Sequence, residues 1–196
     1  MSVTRGAAAL AAALFLFPAL AAADAEAGKA KAVVCAACHG EGGNSPDRAV
    51  PSIAGQPAQM IATQLYQFRE GNRKDAVMSP MAAKLTNADM NDLAAYFSSQ
   101  KMAPPKHQAA PESAEAGPGL AKKFNCSQCH GPALMGQQHI PRLAGQQLEY
   151  LRAQLKAFKA GKRADMDGNM TAAAQPLTDR DIAVLADYLA GLGARD

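Results

Sequence analysis

Apolar residues recur at three- and four-residue spacing in two pairs of matching stretches. Ile61, Leu65 and Phe68 share one face of a helix expected over Gln59 to Glu70, and Leu151, Leu155 and Phe158 do the same over Gln147 to Ala160. Gly71 and Gly161 follow them as stop signals. The second pair has the clearer start. Thr86 with Asp89, and Thr178 with Asp181, place a hydroxyl three residues before an acid, the pattern of a helix N-terminal capping box. Behind these caps Met90, Leu93, Ala94 and Phe97, and likewise Ile182, Leu185, Ala186 and Leu189, form apolar stripes read most simply as core. Gly28 to Cys35 and Gly119 to Asn125 suit short opening helices. The chain therefore reads as all-α, with each half built from the same helices in the same order.

The halves superpose almost without gaps. Cys35 maps to Cys126 at a shift of 91 residues. Pro51, Ala54-Gly55-Gln56, Gly71 and Arg73 map at a shift of 90 to Pro141, Ala144-Gly145-Gln146, Gly161 and Arg163. Met78, Leu85, Asp89 and Tyr96 map at a shift of 92 to Met170, Leu177, Asp181 and Tyr188. Insertions this small fall in loops and leave packing elements aligned. Two copies are too few for a solenoid, so tandem domains are expected, at residues 24–103 and 117–196. Between them residues 104–116 carry Pro104, Pro105 and Pro111 and read as a linker stiffened by proline.

Composition narrows the picture. The chain has 196 residues, 48% of them hydrophobic, and a formal charge of +3 with no long block of either sign, so nothing argues for nucleic acid. Residues 1–23 begin with Arg5, continue through an apolar run from Gly6 to Leu20 and end in Ala21-Ala22-Ala23. That order describes a secretory signal peptide cleaved near Ala23 and an exported mature chain, with an uncleaved anchor as the alternative. Each half is about eighty residues and contains no tryptophan, which is little material for a self-sufficient core.

All four cysteines lie in two copies of one motif, Cys35-Ala36-Ala37-Cys38-His39 and Cys126-Ser127-Gln128-Cys129-His130. A Cys-x-x-Cys-His run is a c-type haem attachment signature. Two thiols three residues apart can each form a thioether with one porphyrin, and the adjoining histidine is then placed under the iron as an axial ligand. Two motifs imply two covalently bound haem c groups. The alternatives are a dithiol redox pair or a zinc site built from all four thiolates, which would leave both histidines unused.

Methionine opposite histidine raises a haem's reduction potential. Met78 and Met170 are the methionines downstream of the motifs that superpose, with Met81 and Met166 as neighbouring rivals. His107 and His139 have no counterpart in the other half and read as solvated. A ligating imidazole donates its second N–H to a carbonyl or carboxylate, and Pro51 and Pro141 are candidates to supply a carbonyl. Arg73 and Arg163, just before the methionine loops, suit haem propionates, with solvated charges as the alternative.

The two haem motifs, the Ala-Gly-Gln triplets, and the endings Asp92-Leu93-Ala94-Ala95-Tyr96-Phe97 and Val184-Leu185-Ala186-Asp187-Tyr188-Leu189 together resemble the diheme cytochrome c4 family. The resemblance covers essentially all of the chain after Ala23. It implies two cytochrome c folds with haems near their interface, and His39 with Met78 and His130 with Met170 as axial ligands. It also implies a periplasmic electron carrier, often associated with the inner membrane, between a cytochrome bc1-type donor and a terminal oxidase acceptor. An electron-accepting subunit of a dehydrogenase and a diheme peroxidase-like enzyme are the alternatives. The enzyme would require an open iron position and added catalytic side chains, for which the chain shows no insertion.

Overall fold

The computed structural model describes residues 23–193, so the signal peptide read over residues 1–23 lies outside it except for Ala23. Ten α-helices occupy the described residues, and the fold is all-α. The first half contains α1 (Ala25–Lys31), α2 (Val33–His39), α3 (Ala58–Arg69), α4 (Met78–Ala82) and α5 (Asn87–Ser99). The second contains α6 (Pro111–Lys123), α7 (Cys126–His130), α8 (Leu148–Lys159), α9 (Asn169–Ala174) and α10 (Asp179–Ala190).

Packing repeats as the sequence does. Helix α5 packs on α1 and α3, and α3 on α4; α10 packs on α6 and α8, and α8 on α9. The stripes predicted as core are core: Leu93, Ala94 and Phe97 are buried with Met60 and Ile61. Ile182, Leu185, Ala186 and Leu189 are buried with Leu148, Leu151 and Phe158. Both capping boxes form, with the Thr86 and Thr178 hydroxyls accepting the N–H groups of Asp89 and Asp181. Gly71 and Gly161 take positive φ of 74° and 65° two residues after α3 and α8 end, a conformation glycine adopts without steric cost.

The crossings of α1 on α5 and of α6 on α10 are close enough to require glycine. A methyl group on Gly28 would meet the Asp92 carbonyl oxygen, and one on Gly117 would lie 2.2 Å from Tyr188 Cγ. Both glycines stand near the start of their repeat.

The opening segments differ from expectation. In the first half two short helices, α1 and α2, replace a single one over residues 28–35. In the second half α6 starts at Pro111, eight residues before the expected Gly119, so the segment read as linker supplies its first two turns. Pro111 sits in the first turn, where the missing N–H has no intrahelical partner to lose. Pro118 lies inside α6 and is tolerated there.

What remains of the connection is pinned. Asn44 holds the Lys101 carbonyl and the Ala103 N–H at 3.0 and 2.8 Å. His107, expected to be solvated, instead has Nε2 2.6 Å from Asp187 Oδ1, and Asp187 Oδ2 accepts the Ala110 N–H at 2.9 Å. The other unmatched histidine, His139, stays largely exposed, 4.0 Å from Asp167.

The halves meet through a reciprocal exchange. Gln56 donates to the Arg142 carbonyl and accepts its N–H, at 3.1 and 2.8 Å. Gln146 does the same to Ser52, at 2.8 and 2.8 Å. Gln56 and Gln146 are repeat mates, as are Ser52 and Arg142, so the contact has local twofold symmetry. All four residues are buried. A primary amide matches one backbone N–H and one C=O, which is why glutamine serves there.

Candidate haem sites

Each Cys-x-x-Cys-His motif closes a short helix. Helix α2 ends at His39 and α7 at His130, and Gly40 and Gly131 then turn the chain with φ of 77° and 81°. The two cysteines of each motif stand at i and i+3, on one face of the helix. No cysteine is in a disulfide. Burial pushes the Cys35 and Cys126 thiols up, with Cys38 adding to the effect on Cys35. Among the described residues no group of three or more His, Cys, Asp or Glu side chains is arranged to hold a metal ion by itself.

Both motif histidines are buried, with 6% and 7% of their surface exposed. His39 Nδ1 lies 2.8 Å from the Pro51 carbonyl and His130 Nδ1 lies 2.7 Å from the Pro141 carbonyl. A carbonyl only accepts, so each Nδ1 carries hydrogen and each Nε2 is left with a free lone pair. Burial holds both imidazoles below their ordinary pKa, against a smaller opposing pull from these hydrogen bonds. The neutral imidazole that results is the ligating form. The two prolines are where sequence spacing put them.

Met78 opens α4 and Met170 is the second residue of α9. Both are half-buried, and Met170 packs against the second core. The rivals are more exposed: Met81 at 47% and Met166 at 72%. Each methionine loop is tied by an aspartate that sequence reading overlooked. Asp75 accepts the N–H groups of Val77 and Met78 at 2.9 and 2.8 Å. Asp165 accepts those of Met170 and Thr171 at 2.7 and 2.9 Å. The Met78 bond is the main cause that holds the Asp75 carboxyl below the usual range. Burial alone would raise Asp165, but hydrogen bonds from Thr171 and Met170 outweigh it and bring it down to about 2. A signal was present, since the two aspartates superpose at the same shift as the arginines.

Arg73 and Arg163 are half-buried and hydrogen-bonded, not free surface charges. Each guanidinium lies 4.5 Å from a ring centroid, Phe68 for one and Phe158 for the other. Arg73 donates to Gln64 and, across the interface, to Tyr150 and Gln154 at 3.2 Å each. Arg163 donates to Gln154 at 2.6 Å and crosses to Gln64 at 3.2 Å. Its Nε is buried without a partner among the described residues, a donor aimed at nothing the protein itself supplies. Two cations, one of them with a spare donor, unpaired thiols and neutral buried imidazoles fit a cofactor that brings its own carboxylates and takes thioether links.

The cytochrome c family model matches this chain twice, at residues 25–101 and 114–193. A cytochrome c4 from Pseudomonas aeruginosa is 39% identical over 182 residues, covering 88% of this chain and 90% of that protein. A thiosulfate dehydrogenase electron acceptor from Thiomonas intermedia is 38% identical over 174 residues, covering 82% of this chain and 79% of that protein. The crystal structure of reduced recombinant cytochrome c4 from Pseudomonas stutzeri is similar with a TM-score of 0.82 and 36% identity, over 87% of this chain and all of that one. The repeated motif, its buried histidines and these likenesses agree on two haem c groups and on electron transfer in place of catalysis, and the chain belongs to the diheme cytochrome c4 family.

Proposed function

We propose that the chain is a periplasmic carrier in which His39 with Met78, and His130 with Met170, would ligate the irons of two haems, with Cys35, Cys38, Cys126 and Cys129 as the covalent anchors. When bound, each haem supplies an iron that gains and loses one electron. The protein's part is to hold the coordination unchanged between the two states. The single observation that carries this reading is the matched support on both sides of each site: a proline carbonyl behind each histidine and an aspartate under each methionine. Ligands held this firmly would reorganise little on reduction and would leave small molecules no place on the iron. Arg73 and Arg163 take the propionate carboxylates at the interface.

No described helix is long and apolar enough to cross a membrane. The location we propose is that of an exported protein associating peripherally with the inner membrane. A cytochrome bc1-type complex is the donor we propose and a terminal oxidase the acceptor. The test has two parts. Ferric protein should show the near-infrared thioether–iron band for both haems and resist cyanide; a high-spin haem would overturn the ligand assignment. Reduced bc1-type complex should then reduce the protein, and oxidase reoxidise it, within many turnovers per second.

The likeness to a thiosulfate dehydrogenase electron acceptor favours one second reading, in which a dehydrogenase is the donor. Rapid reduction by such an enzyme with its substrate, and none by the bc1-type complex, would select it.

A further inference from the structure

The interface is symmetric in every hydrogen bond of its glutamine exchange but not in charge. Where the first half has Ser52, the second has Arg142, and its side chain is 1% exposed. Its guanidinium donates to the carbonyls of Ala144 and Ala54, the latter at 3.0 Å. Those two carbonyls are repeat mates, one from each half, so the guanidinium bridges equivalent atoms of the two halves, close to the local twofold axis. Among the described residues it has no carboxylate partner, and burial alone accounts for its pKa being pushed down to about 10, still protonated at neutral pH. Its Nε has no partner among the described residues either. A lone buried cation is costly to keep unless something in the loaded protein benefits from it.

We infer that Arg142 is a shared electrostatic element that raises the reduction potentials of both haems together. Reduction adds one negative charge at each iron. A fixed positive charge in a dry interior favours that state more than any surface lysine does, because water does not screen it. From its place at the interface it acts on both sites, raising each potential while leaving the repulsion between the two added electrons unchanged. The inference requires haem in each half and is independent of which methionine completes the iron.

The test is spectroelectrochemical titration of the holoprotein at pH 6 for wild type, Arg142→Gln and Arg142→Lys. Both potentials should shift downward in the Gln variant and stay near wild type in the Lys variant, with the near-infrared thioether band unchanged in all three. Unmoved potentials in the Gln variant, or movement of the second haem alone, would overturn the proposal. Loss of haem from both variants would also overturn it, by giving Arg142 a purely structural role. Should only the Gln variant lose haem, the Lys variant is titrated from pH 6 to pH 10. A buried lysine discharges there, so a common downward step supports the proposal and flat potentials refute it. Loss of the thioether band in the wild type would instead strike the ligand assignment and leave Arg142 judged by potentials alone.

Discussion

Asp165 accepts the backbone N–H of Met170 at 2.7 Å, and Asp75 accepts that of Met78 at 2.8 Å. A carboxylate that binds two consecutive N–H groups fixes the start of the helix carrying the sulfur. Charge-assisted bonds of this kind contribute about 1.5–3 kcal/mol. Asp165→Asn should therefore weaken the ferric thioether band of the second haem and leave that of the first intact, with Asp75→Asn doing the converse. Both bands at full strength in both variants would show that the aspartates do not hold the ligand loops.

The two methionines near the first haem are separable by substitution. Met81 is 47% exposed and follows the aspartate-tied turn, while Met78 is inside it. Met78→Ala should lower the potential of the first haem, and Met81→Ala should leave it within error. Met170→Ala should lower the second potential only. The reverse result for Met78 and Met81 in a redox titration would move the ligand to Met81.

Helix crossing depends on Gly117. A Cβ there would lie 2.2 Å from Tyr188 Cγ, whereas one on Gly119, in the same helix, meets nothing within 4 Å. Gly117→Ala should cost about 1–3 kcal/mol by overpacking. Gly119→Ala should stabilise by about 0.5–1 kcal/mol through helix propensity. Thermal unfolding of the two variants should bracket the wild type, and equal midpoints would refute the close-crossing argument.

Acid should loosen the hold of α5 on α1. Lys31 reaches Asp89 and Asp92 at 2.8 and 2.6 Å, and its hydrogen bonds are the main reason both carboxyls lie below their ordinary pKa. A carboxyl depressed on folding adds stability that is complete above its unfolded pKa, about 4, and is lost as pH falls below that. The lysine, raised by the same bonds, sets the opposite edge, with loss only as pH climbs beyond its ordinary value of 10.5. These side chains are partly exposed, so salt should shrink the effect. The unfolding midpoint of Lys31→Met should fall less between pH 6 and pH 3 than that of wild type. Parallel curves would remove the ion pairs from the account.

The helix faces and both capping boxes were legible because they are local: a threonine and an aspartate three residues apart carry the whole signal. Pro51 and Pro141 were legible because the repeat aligns them with each other, twelve and eleven residues after their histidines. The start of α6 was not, since Pro111 and Pro118 read as breakers and only the first-turn placement of Pro111 excuses it. Gln56 and Gln146 were visible as a repeated triplet, but their partners lie 86 and 94 residues away, beyond any local pattern. His107 escaped for the same reason, paired with a side chain 80 residues on.

The glutamine exchange is the contact that two identical subunits would make, each offering the other the same patch. In such a dimer every substitution is felt twice, so a residue that suits only one side is rejected. Fusing the copies into one chain lifts that restriction. Position 52 and its mate at 142 are where the freedom was used, and the outcome is a pair of near-identical redox centres that evolution can adjust one at a time or both at once.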